Sequence, residues 1–136
     1  TARPRTEAFL TESAYRRVLL VAEAADKKKA LDITVLHVRE HTIVCDYFVI
    51  CHGRSLTHVD SIAEGVEEYL EERDMHPLRR SQPTDAKWIV LDYGDVVAHI
   101  FTVEARGYYD FEGLWAHAET VDLSGLLAEA PVDDAE

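Results

Sequence analysis

Residues 9–25 carry apolar positions at near-helical spacing (Phe9, Tyr15, Leu19 and Ala22) in an alanine-rich stretch, which predicts a helix. Lys27, Lys28 and Lys29 follow, where positive charge complements a helix C-terminus, and read as a solvated helix end. Residues 33–38 are apolar and partly β-branched and predict a strand. Residues 46–51 predict a second, with Tyr47 and Val49 on one face and Phe48 and Ile50 on the other. Both faces are apolar, as expected of a central strand covered on two sides. Gly53-Arg54-Ser55 then turns the chain into a helix with Ser55 or Thr57 as N-cap. Along that helix Val59, Ile62, Ala63, Val66, Tyr69 and Leu70 form an apolar stripe, with Glu64, Glu67, Glu68 and Glu71 on the wet side.

Beyond Pro77, residues 78–82 read as a short strand and residues 81–85 as a loop. Residues 87–92 and 95–103 predict two strands around Tyr93-Gly94. A two-residue loop there sets Asp92 opposite Asp95, Val90 opposite Val97 and Trp88 opposite His99. Like charges facing each other at the turn are unfavourable unless solvated. Residues 104–118 are rich in aromatics but interrupted by Gly107 and Gly113, so a short helix and a turn are expected. This order of elements predicts an α/β fold with a mixed sheet of about five strands flanked by helices. Residues 1–8 are expected to be a flexible arm, 9–125 a single domain, and 126–136 an acidic disordered tail.

A chain of 136 residues, 47% hydrophobic and 29% charged, can bury one real core. Fourteen basic against 26 acidic residues give a net charge of −12. So acidic a chain gains no nucleic-acid affinity from bulk phosphate neutralisation; little direct nucleic-acid binding is expected, and a basic protein is the natural partner. Two cysteines, Cys45 and Cys51, exclude a disulfide framework and match no zinc spacing, which suits a reducing, cytoplasmic setting. The longest apolar runs, such as 18–22 and 47–51, fall far short of a membrane span, and no signal-peptide core is present. The chain opens on Thr1, which implies a removed initiator or a trimmed terminus.

The candidate chemistry thins out on inspection. The seven histidines (His37, His41, His52, His58, His76, His99 and His117) form no helical zinc pair with a glutamate. Cys51 and His52 point to opposite faces of a strand, while Cys45 and Cys51 share a face about 20 Å apart. Neither arrangement holds a metal. Ser55, at a helix start, reads as a cap rather than a nucleophile, and Cys51 as a buried, inert thiol. Gly53-x-Ser55 is similar to the opening of nucleotidyltransferases, but the Asp-x-Asp pair such enzymes need for two metal ions is absent. No catalytic residue, metal or cofactor is therefore expected. What remains is a surface: Trp88 beside a turn bearing Asp92, Tyr93 and Asp95, with Arg79, Arg80 and Lys87 near in sequence.

Several strings resemble one family. Asp46-Tyr47-Phe48-Val49-Ile50, Gly53-x-Ser55, His58-Val59-x-Ser61-Ile62-Ala63, the run Trp88-Ile89-Val90-Leu91-Asp92-Tyr93-Gly94-Asp95-Val96-Val97-x-His99 and Arg106-x-x-Tyr109-x-x-Glu112-x-Leu114-Trp115 look like the ribosomal silencing factor, or Iojap, family. The resemblance runs from about residue 31 to 123 in the same order and spacing. It implies a nucleotidyltransferase-like mixed α/β fold without the catalytic carboxylates. It also implies a non-enzymatic role: binding the large ribosomal subunit through ribosomal protein L-fourteen and sterically blocking the small subunit, so that translation is repressed. A homodimer off the ribosome is implied as well, in the cytoplasm or, in a eukaryote, an organellar matrix. Carried over by position, Trp88, Asp92, Tyr93 and Asp95 are the best contact candidates, followed by Arg80 and Ser55. Two other readings stay open: a nucleotide-binding or nucleotidyltransferase-like enzyme, and a dimeric adaptor for another partner.

Overall fold

A computed structural model describes residues 5–81 and 87–123, residues 5–13 as backbone only. The chain runs α1 (Arg5–Lys27), β1 (Leu31–His37), β2 (Tyr47–Gly53), α2 (Leu56–Glu71), β3 (Arg79–Ser81), β4 (Trp88–Asp92), β5 (Val96–Thr102), α3 (Val103–Tyr109), α4 (Phe111–Leu114) and β6 (Glu119–Val121). Six strands form one sheet in the order β3-β4-β5-β2-β1-β6. The β2–β5 pair is parallel, and every other neighbouring pair is antiparallel. The mixed α/β fold expected from the sequence is therefore present, with six strands rather than about five. The additional strand, β6, is an edge of three residues with no apolar alternation to announce it. The expected acidic tail and most of the 81–85 loop lie outside the described residues, and α1 begins at Arg5 rather than Phe9.

The alternation in β2 sorts the sheet into two layers. Tyr47, Val49 and Cys51 join Ile89, Leu91, Val96, Ala98 and Ile100 beneath α1 and α2, where Val18, Val21, Ile62, Val66 and Leu70 complete the larger core. Phe48 and Ile50 point the other way, with Val97, Phe101 and Leu36, under Trp88, Phe111 and Trp115. Among the described residues, the helices that cover that second face are the short α3 and α4. Ser55 caps α2 as predicted, its Oγ accepting the His58 N–H at 3.1 Å. The apolar stripe of α2 is buried as read, with Tyr69 partly so.

Two expectations are corrected. The β4–β5 register is two residues away from the predicted one: Trp88 pairs with Phe101, Val90 with His99 and Asp92 with Val97. The turn is Gly94-Asp95, closed by the Tyr93 N–H to the Val96 carbonyl at 2.9 Å. Gly94 adopts φ +93°, the left-handed first position that a two-residue hairpin asks of glycine and that a tyrosine resists. Tyr93 instead extends the inward row of Ile89 and Leu91 and is 6% exposed. A slip of two leaves each side chain on its face, so the layers survive the error. Asp92 and Asp95 no longer face each other. The second correction concerns the thiols. Cys45 lies before β2 begins and packs in the smaller cluster, while Cys51 packs in the larger one, on the opposite face. Burial pushes both thiols up to about 12.

Leu91→Ala removes a fully buried side chain from the α1–α2 layer and is expected to cost about 2–5 kcal/mol in urea unfolding. A loss below ~1 kcal/mol would show that this layer is loosely packed.

Candidate functional site

Trp88 opens β4 on the thinly covered face. Its ring stacks on Phe101 at 4.9 Å and meets Tyr109 at 5.1 Å and Phe111 at 5.9 Å. Its Nε1–H donates to His99 Nδ1 at 3.0 Å, a diagonal contact across the hairpin. With Nδ1 accepting, the neutral His99 ring carries its proton on Nε2, which is buried without a partner. Phe48 stands edge-on to the same ring at 5.1 Å and Phe111 lies 4.2 Å away. An imidazolium in this aromatic box loses its water, so burial pushes the His99 pKa down to about 3. His99 is thus a neutral acceptor that fixes the indole.

Outward from Trp88 the rings continue into solvent. Tyr109 meets Tyr108 edge-on at 5.1 Å. Tyr108 is 82% exposed, Tyr109 52% and, on α4, Leu114 71%. Such exposure of large apolar side chains beside a stacked tryptophan is the usual mark of a protein-binding surface.

A buried cation holds this corner in place. Arg106, on α3, sends Nε and Nη2 to the two carboxylate oxygens of Glu112, each at 2.9 Å. Its Nη1 donates to the Asp32 carbonyl at 2.8 Å and lies 3.0 Å from His52 Nδ1, and Nη2 reaches Thr34 Oγ1 at 3.2 Å. One side chain therefore ties α3 and α4 to β1 and β2. The Arg106 hydrogen bonds hold Glu112 below the usual carboxylate range. Burial, and then the Arg106 charge, pushes His52 down as well. At Asp110 the chain turns through φ +47°, separating α3 from α4.

The six residues singled out from sequence fall in different places. Trp88 and Asp92 share the thinly covered face. Asp92 is occupied locally, its Oδ1 accepting the Gly94 N–H at 2.8 Å, with Arg79 at 3.4 Å. Tyr93 lies in the α1–α2 core, its hydroxyl without a partner, and burial raises its pKa well above the ordinary value. Asp95 is bound by Arg17 of α1 at 2.6 and 2.7 Å. Arg80 pairs with Glu67 of α2 at 3.0 Å, and Ser55 caps α2 just past the end of β2. Tyr108, Tyr109 and Leu114 were not singled out. For the two tyrosines the signal is the aromatic density between Gly107 and Gly113, which sequence spacing alone does not place near Trp88. Among the described residues no group of three His, Cys, Asp or Glu side chains is placed to hold a metal ion, and no helix is long and apolar enough to cross a membrane.

A profile described as "Ribosomal silencing factor during starvation" matches residues 11–136. The chain belongs to the ribosomal silencing factor family. Ribosomal silencing factor RsfS of Halalkalibacterium halodurans is 36% identical over 109 residues, 80% of this chain and 93% of that protein. Its namesake in Bacillus subtilis is 38% identical over 104 residues, 76% and 88% of the two chains. The Zea mays protein named Iojap, chloroplastic, is 31% identical over 76% of this chain and 45% of its own length. Among solved structures, one from Bacillus halodurans superposes with TM-score 0.68 at 36% identity, covering 76% of this chain and 94% of that one. A Chromobacterium violaceum structure gives 0.72 at 28% identity, covering 75% and 85%. In this member of the family, then, the Trp88–Tyr109 patch stands on the mixed sheet that its solved relatives share.

His99 makes the packing beneath the patch sensitive to acid. Unfolded, its imidazole binds a proton below about 6.5; folded, only near pH 3. Between those values the unfolded state holds the extra proton, so stability is complete above about pH 6.5 and falls as pH drops towards 3, by up to ~1.4 kcal/mol per unit from this group. His99→Gln, which keeps an acceptor for Trp88, is expected to flatten that slope in urea titrations across pH 4–7. An unchanged slope would show that His99 contributes little to it.

Proposed function

We propose that the protein binds the large ribosomal subunit through ribosomal protein L-fourteen and sterically keeps the small subunit from joining, so that translation is repressed without chemistry. The observation that carries this reading is the aromatic patch of Trp88, Tyr109 and Tyr108, stacked on a rigid core at one end and open to solvent at the other. Trp88 is its anchor, for its indole is already oriented by His99 and loses little freedom on docking. Asp92, on the same face and held by Gly94 and Arg79, adds negative charge that suits a basic partner, and Arg80, Asp95, Tyr93 and Ser55 act from within the fold by fixing the elements around it. Family membership supports a regulatory rather than catalytic role. The net charge of −12 suits a basic ribosomal protein and speeds the encounter at low salt. Off the ribosome the protein forms a homodimer, and it acts wherever its ribosomes are, in a cytoplasm or an organellar matrix.

The test is subunit association on sucrose gradients, with and without the protein. Monosomes are expected to fall while the protein sediments with the large subunit. Trp88→Ala and Tyr109→Ala are each expected to weaken binding to isolated ribosomal protein L-fourteen by about tenfold or more, as truncated hot spots do, with circular dichroism unchanged. Normal monosome formation with the protein left at the top of the gradient would overturn the reading. Capture of the large subunit with full affinity by both variants would displace the patch from it.

A further inference from the structure

Lys27, Lys28 and Lys29 at the end of α1, and Arg54 ahead of α2, line a crevice of about 460 Å³ with Ser55 and His58, and no carboxylate lines it. Four cations on one wall run against a chain with 26 acidic and 14 basic residues. Several cations elsewhere are neutralised from within: Arg17 pairs with Asp95, Arg73 with Glu72, Arg79 with Asp92, Arg80 with Glu67 and Arg106 with Glu112. No ion pair joins Lys28, Lys29 or Arg54 to a carboxylate among the described residues.

The cluster is held together by specific contacts. His58 Nδ1 accepts the Arg54 N–H at 2.9 Å, and its Nε2 lies 2.8 Å from the Lys28 carbonyl. With Nδ1 accepting, the neutral ring donates from Nε2, so one imidazole joins the two cationic segments. The Lys28 stem lies on Gly65, where a Cβ would stand 2.5 Å from its Cγ. Glycine at that position lets the lysine cross α2 closely.

The crevice and the aromatic patch lie at the same end of the sheet. β2 ends at Gly53, opposite Thr102, and Phe101 pairs with both His52 and Trp88. Trp88 therefore stands two strands from the end of β2, roughly 10 Å across the sheet, with the patch on one face and the crevice at the end of the α1–α2 layer on the other. A partner as large as a ribosomal subunit, seated on Trp88 and reaching round this end of the sheet, brings its neighbouring surface to the cations. Beside a basic ribosomal protein the dense anion is the RNA backbone, whereas a basic protein surface would be repelled.

We propose that this crevice binds the phosphodiester backbone of ribosomal RNA next to the protein on which Trp88 docks, an inference that rests on the proposed anchoring to the large subunit. The net charge of −12 describes an average over a surface whose two signs are separated. The acidic remainder disfavours RNA in general, and the crevice accepts it only where the protein contact has already set the register.

The experiment compares Lys28→Gln/Lys29→Gln/Arg54→Gln with Arg16→Gln/Arg39→Gln/Arg73→Gln, which removes the same charge elsewhere. Each is titrated onto isolated ribosomal protein L-fourteen and onto intact large subunits over a range of salt. The crevice variant is expected to bind the isolated protein as the control does. On the subunit it loses about tenfold or more in affinity, and its log–log salt dependence becomes shallower by roughly two, as three lost phosphate contacts to single-stranded backbone require. Subunit affinity and salt slope equal to the control's would overturn the proposal. ATP that raises the Tm of the wild type but not of the crevice variant, with subunit binding equal in both, would assign the crevice to a small nucleotide instead and overturn it too. Loss of wild-type binding to both targets would sink the anchoring reading and this one with it. Retained binding with an unchanged slope sinks this one alone.

Discussion

The parallel pairing of β2 with β5 over seven residue pairs is the constraint on which the rest of the molecule depends. A parallel pair cannot be closed by a hairpin and needs a crossover, which here contains α2, β3 and β4. Its central position buries both faces of β2, which requires a layer on each side. One layer is supplied in full by α1 and α2. Among the described residues the other is supplied by α3 and α4, seven and four residues long. That asymmetry exposes part of the second face and leaves Trp88 and Tyr109 at its rim.

Buried polar groups convert this incomplete layer into a rigid one. Arg106 is 9% exposed, yet the paired oxygens of Glu112 and the acceptors from Asp32, Thr34 and His52 answer its guanidinium. A cation so placed is tolerated only when its hydrogen bonds are met, so α3 and α4 have little freedom to slide. His99 does the same for the indole from below, and burial among the surrounding rings keeps it neutral. The exposed rings are therefore presented on a fixed support, which suits the docking proposed for them because less entropy would be lost.

Charge is organised by the same architecture. Arg17, Arg80 and Arg106 are each spent on carboxylates that join separate elements, as Arg17 does between α1 and the β4–β5 turn. The lysines at the end of α1 and Arg54 are brought together by His58, at the end of the sheet where α1 stops and α2 starts. An acidic molecule thus shows a cationic wall at the same end of the sheet as its aromatic patch, on the opposite face. Distance along the chain hides this: Lys28 and Arg54 are separated by the whole of β1 and β2.

The sequence by itself determined the layers. Alternation in β2, the stripe on α2 with Ser55 as its cap, and the inward row of β4 are local periodicities, and burial follows period whatever the exact pairing. The order of elements determined the fold class, and the strings around Trp88 and Arg106 determined the family. Only the tertiary structure decided the register of the hairpin, because a slip of two preserves each face and the choice rests on which residue can adopt φ +93°. Only it decided that Tyr93 is inside, that Asp95 belongs to Arg17, and that Tyr109 lies against Trp88. Those are contacts between segments far apart in sequence. Nothing in residue type or spacing encodes such meetings; they arise when the parallel pair folds the chain back on itself.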